Sequence, residues 1–169
     1  MTDATQTDHQ QEVQLEAPQD AAVETATKSV IFERLMPYPA HKVWRALTEV
    51  PLLDAWLLQS DFQPVAGHRF QFKAPVNPGW NGIVDCEVLI VEPYERLAYT
   101  WNVLGEQATD GLKTRVTWTL TSVETGTLVR MEQSGFRVNQ PRARGGASYG
   151  WNLFFNGLEQ VLTQLNLRT

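Results

Sequence analysis

Three histidines and one cysteine are the side chains best suited to acid–base, metal or nucleophilic chemistry in this sequence. His9 falls in an acidic N-terminal stretch, His41 stands beside Lys42 in a helical pattern, and His68 opens a run of alternating aromatics. Their spacing forms no metal-ligand set, and a single cysteine cannot complete a zinc site among them. Cys86 lies in mid-strand between Asp85 and Glu87 with no base paired to it, the setting of a small buried hydrophobe rather than an activated thiolate. His41 reads as a surface residue. His68 shares the parity of Phe70 and Phe72 and is expected to point inward as a packed, hydrogen-bonded side chain. No G-x-S-x-G elbow, phosphate loop or dinucleotide fingerprint occurs. No catalytic residue, no metal site and no cofactor are therefore assigned.

What remains is apolar chemistry, and it depends on the elements that would carry it. Val30 to Leu35 is rich in β-branched and aromatic residues and reads as a strand, stopped by Met36-Pro37-Tyr38-Pro39. Pro39 suits the first turn of a short helix from Ala40 to about Thr48. Pro51 opens a second one carrying Leu52, Leu53, Trp56 and Leu57. From Asp61 to Phe136 the hydrophobic period becomes two, with strands expected at 68–73, 83–91, 97–101, 115–120 and 127–133. An irregular Pro/Gly loop, 74–80, ends on Trp80. Trp151, Phe154, Phe155, Leu158, Val161, Leu162 and Leu165 form one apolar stripe of a long C-terminal helix. Gly145, Gly146 and Gly150 crowd its start, so its first turn is expected to be loose or to begin late.

Composition limits the partners. The 169 residues carry 14 Lys and Arg against 19 Asp and Glu, a net charge of −5. Six of the acids lie in residues 1–27 with no base among them, so the rest is nearly neutral and has no strong pull on nucleic acid or an anionic membrane. Residues 1–27 hold no aromatic and read as a disordered acidic leader, and 28–169 as one domain. The N-terminus has no basic, apolar signal pattern, and no apolar run reaches the ~20 residues of a membrane helix. A lone cysteine suits a reducing, cytoplasmic setting.

Strand, two short helices, about six further strands and a long amphipathic helix describe an α+β fold with a curved antiparallel sheet of about seven strands. One helix laid in the concave face covers it incompletely, so residual space between the two is expected. The runs PYPAHKVWRALTEVPLLDAWL, VEPYERLAYTW, TRVTWTL, GTLVRMEQSGF and GWNLFFNGLEQVL, in that order, resemble the START-like (SRPBCC) superfamily. They are most similar to the family of the C-terminal domain of the activator of the heat-shock-protein-90 ATPase. The resemblance covers about residues 28–166 and implies a helix-grip fold. It leaves function open, since the superfamily spans lipid carriers, polyketide cyclases, antibiotic-binding proteins and a co-chaperone module. Two positions depart from the pattern. Val50 replaces an Asp N-cap, and Gln133 stands where many relatives have His.

The expected cavity residues are Phe70, Phe72, Trp80, Tyr99, Trp101, Trp118, Met131, Gln133, Trp151, Phe154, Phe155 and Leu158, with His68, Gln133 and Tyr99 as polar anchors. For any one of these aromatics core packing is the better reading; as a set they predict apolar walls with few polar anchors. Trp80 reads as a rim residue or as one tucked against the barrel. Arg137, Arg142 and Arg144 form a basic patch leading into the last helix. The reading favoured is non-catalytic binding of a small hydrophobic or aromatic molecule. A co-chaperone-like interaction with a chaperone, in a stress response, and a polyketide-cyclase-like activity stay open as alternatives.

Overall fold

A computed structural model describes residues 27–76, 78, 80–104 and 111–168. The expected leader lies, but for Thr27, outside the described residues.

Seven strands form one antiparallel sheet: β1 (Thr27–Met36), β2 (Gln59–Ser60), β3 (Arg69–Lys73), β4 (Ile83–Glu92), β5 (Arg96–Val103), β6 (Leu112–Val123) and β7 (Gly126–Arg137). Their spatial order is β1-β7-β6-β5-β4-β3-β2, so the first and last strands are neighbours and the rest is a meander. Helices α1 (Ala40–Thr48) and α2 (Val50–Trp56) follow β1, and α3 (Pro141–Leu167) ends the fold. The helix-grip arrangement expected from the sequence is the arrangement present. β2 adds a two-residue strand too short to leave a periodic signal.

The alternation in β5, β6 and β7 sends Leu97, Tyr99 and Trp101, Val116 and Trp118, and Val129, Met131 and Gln133 to one buried face. Register shifts between Lys28 and Ser29 and between Val88 and Ile90 interrupt the ladders, as bulges do where a sheet bends. Trp118 lies at the centre of the concave side. Its ring meets Trp56 of α2 at 5.8 Å and, from α3, Trp151 at 5.8 Å and Phe155 at 5.6 Å. Its indole N–H donates to the Tyr99 hydroxyl at 3.0 Å, so a wholly buried Trp retains a polar partner.

Helix α3 starts at Pro141, not late, despite its three early glycines. Proline at the first helical turn forfeits no needed N–H, which lets the helix begin there. The C-terminal half is tied down by polar contacts. Arg34 donates to Asn156 at 3.0 Å and pairs with Glu159 at 3.3 Å. Tyr38 and Thr163 share a hydrogen bond of 2.8 Å, and Lys42 donates to Asn166 at 2.8 Å.

Gly82 closes the irregular loop before β4. Its backbone has φ +77°, and its carbonyl accepts from the Ala74 N–H at 2.7 Å. A β-carbon there would stand 2.2 Å from the Ala74 carbonyl oxygen, so no side chain fits without moving backbone. Gly82→Ala is expected to lower unfolding free energy by about 1–3 kcal/mol, through strain and loss of this clamp. Urea denaturation checks this; an unchanged midpoint would show that the loop is not held at this point.

Candidate functional site

Between the sheet and the N-terminal half of α3 lies a cavity of about 370 Å³. Two kinds of surface line it, and it opens to solvent where Gly146 is exposed. Trp80, Trp101, Trp151 and Phe154 supply aromatic surface, with Leu58, Val84, Val103 and Leu112 beside them. Ala143, Gly146, Ala147 and Gly150 belong to α3, the helix that also carries Trp151 and Phe154, and border the space opposite the sheet residues. The positions 143, 146, 147 and 150 recur at three and four residues, so one helical face is stripped to backbone and methyl groups there. The same face continues through Phe154, which still borders the cavity, to Leu158, fully buried, and there the interior is solid. The cavity is thus the part of the helix–sheet interface where α3 runs out of bulk.

Gln133 is the polar group in this lining, and it is 1% exposed. Its carboxamide is locked from two sides. The Trp151 indole N–H, which can only donate, reaches Gln133 Oε1 at 2.7 Å. Gln133 Nε2 donates to the Thr114 hydroxyl at 3.0 Å, and that hydroxyl donates to the Trp101 carbonyl. The relay fixes which end of the amide is oxygen and joins α3 to β7, β6 and β5. Trp80, half-buried at the rim, donates its own indole N–H to the Ile83 carbonyl at 3.3 Å.

Five of the residues named from the sequence line the cavity: Trp80, Trp101, Gln133, Trp151 and Phe154. Seven do not: Phe70, Phe72, Tyr99, Trp118, Met131, Phe155 and Leu158 fill the core around it. Phe70 packs edge-on to Phe62, Phe72 and Tyr99 at 5.1–5.7 Å. Tyr99 is used by Trp118 rather than by the cavity, and burial pushes its phenol well above its ordinary range. His68 shares the aromatic face but stands off the cavity, stacked on Phe70, with Nε2 at 3.0 Å from the Asp61 carbonyl. In the sequence the glycines of α3 read only as a weak helix start, with Ala143 and Ala147 not joined to them as a wall. Their signal was the 143-146-147-150 spacing on the side that continues into Phe154.

Other chemistry is sparse. Among the described residues no group of three or more His, Cys, Asp and Glu is placed to hold a metal ion, and no helix is long and apolar enough to cross a membrane. Cys86 is 5% exposed; burial, reinforced by the neighbouring Asp85 charge, pushes its thiol far up. Raising a thiol pKa removes thiolate at neutral pH. Cys86 is therefore expected to resist a disulfide-exchange reagent at pH 8 in the native state and to react fully in denaturant. Fast native labelling, followed by absorbance, would contradict the burial described.

The geometry can be set beside known proteins. A crystal structure of protein MLL2253 from Mesorhizobium loti is 49% identical, with TM-score 0.76 over 81% of this chain and 98% of that one. DynU16, from the dynemicin biosynthetic locus, superposes with TM-score 0.67 at 24% identity over 80% of this chain, which spans 47% of it. CalU16 from Micromonospora echinospora gives TM-score 0.61 at 21% identity, over 79% of this chain and 73% of that one. The last two likenesses concern the fold alone. No curated protein matches the sequence. Residues 37–163 match the family described as Activator of Hsp90 ATPase homolog 1-like protein, and the chain belongs to that family.

Proposed function

We propose that this protein binds a small hydrophobic or aromatic molecule, without covalent chemistry, in the cavity between the sheet and α3. The observation that carries the reading is the cavity itself. At about 370 Å³ it falls in the range of small-molecule sites, apolar on nearly all sides with one oriented polar group. Its lining holds no titratable side chain among the described residues, which supports holding a ligand rather than acid–base catalysis of its turnover. A single buried cysteine is in keeping with a reducing compartment.

The family description favours a second reading, interaction with a chaperone ATPase. Stimulation of an Hsp90-type ATPase by this chain, unaffected by filling the cavity, would put that reading first.

The glycines of α3 give the binding reading a test with opposite signs. A β-carbon added at Gly146 or Gly150 meets no atom within 4 Å, so packing does not require glycine at either place. Glycine in a helix costs about 1 kcal/mol relative to alanine. Gly146→Ala and Gly150→Ala are each expected to raise stability by up to about 1 kcal/mol, since neither glycine has a compensating contact. Both glycines border the cavity, so the added methyl groups are expected to narrow it and to weaken binding several-fold. N-phenyl-1-naphthylamine, a neutral apolar probe, should bind the unaltered protein saturably and quench its tryptophan emission through Trp80, Trp101 and Trp151. Absence of saturable binding up to the probe's solubility would defeat the proposal.

A further inference from the structure

Resting on that binding reading, we infer that the cavity selects a neutral aromatic molecule bearing one hydroxyl, or a comparable group that both donates and accepts, and seats that group on Gln133.

A glutamine carboxamide offers two N–H donors and two carbonyl lone pairs. At Gln133 one N–H is taken by Thr114 and one lone pair by Trp151. One N–H and one lone pair are left over on a side chain that is 1% exposed and borders the cavity. The two are fixed in position, because the Trp151 and Thr114 contacts prevent the amide from turning. A hydroxyl is the smallest group that answers both, accepting from Nε2 and donating to Oε1. Leaving a buried donor unmet is costly, so a ligand without such a group forgoes what the site can supply.

Charge is selected against by the same lining. No Lys, Arg, His, Asp or Glu borders the cavity among the described residues, so a carboxylate or ammonium buried there would lose hydration without a counter-charge. Shape follows from the two walls. The Trp101 ring of the sheet and the Trp151 ring of α3, 5.4 Å apart at their centroids, border the space beside the bare Gly146 and Gly150 backbone, which suits a flat ring system.

The experiment compares naphthalene, 2-naphthol and 2-naphthoate by equilibrium dialysis against the full chain at neutral pH. The expected order is 2-naphthol about tenfold or more tighter than naphthalene, from two added hydrogen bonds, with 2-naphthoate weakest. Gln133→Met, close in volume, should bring 2-naphthol down to the affinity of naphthalene and leave naphthalene within a few-fold. Should that variant fail to fold, the comparison on the unaltered protein decides alone. Equal affinity for naphthalene and 2-naphthol, or tighter binding of 2-naphthoate, would overturn this inference while leaving the cavity reading intact. Failure of all three to bind would defeat both.

Discussion

The bond between Trp151 and Gln133 marks the place where this fold changes character. On its C-terminal side, α3 meets the sheet through Phe155, Leu158, Val161 and Leu162, and the interior is packed. On its N-terminal side the same helix presents Ala143, Gly146, Ala147 and Gly150, and the interior is hollow. A helix without side-chain bulk cannot hold its distance from a sheet by packing alone. The directional bond at 2.7 Å, continued through Thr114 to the Trp101 carbonyl, fixes that distance at the edge of the void. Core and cavity are therefore two halves of one interface, divided at Gln133.

This division explains why the aromatic set splits. Trp118 and Trp151 lie 5.8 Å apart, yet one fills the core and the other borders empty space. Trp118 is enclosed by Trp56, Phe155 and Trp151 and satisfied by Tyr99. Trp151 has Trp118 on one side and the small-residue stretch of its own helix on the other. Neighbours, not residue type, decide which role an aromatic plays.

That distinction limits what a linear sequence reveals. Period-two alternation places Phe70, Phe72, Trp101 and Trp118 on the buried face, because facing follows from strand geometry. Whether a buried side chain touches protein or a void depends on partners far away in sequence. Phe70 and Phe72 meet Phe62 and Tyr99, and nothing local announces those contacts. The order of strands and helices was legible because each element carries its own periodicity. The two-residue β2 was not, since two residues have no period. Gly145, Gly146 and Gly150 gave a signal that points two ways. In a propensity argument they weaken a helix start; in the folded chain that helix runs from Pro141, and two of the three glycines border the cavity.

The substitution at position 133 acquires its meaning from the same geometry. The sequence resemblance put Gln where many relatives have His, and the position proves to be the polar point of an apolar lining. An imidazole there would carry a proton that comes and goes near neutral pH. A carboxamide carries none; it keeps donor and acceptor at once over the whole physiological range. Locked by Trp151 and Thr114, it is also a rigid donor–acceptor pair, whereas an imidazole would offer one role at each nitrogen and exchange them with its tautomer. Under the binding reading proposed above, a site with this residue at its polar point, and no charged side chain beside it among the described residues, would hold a neutral molecule in one orientation rather than move its protons.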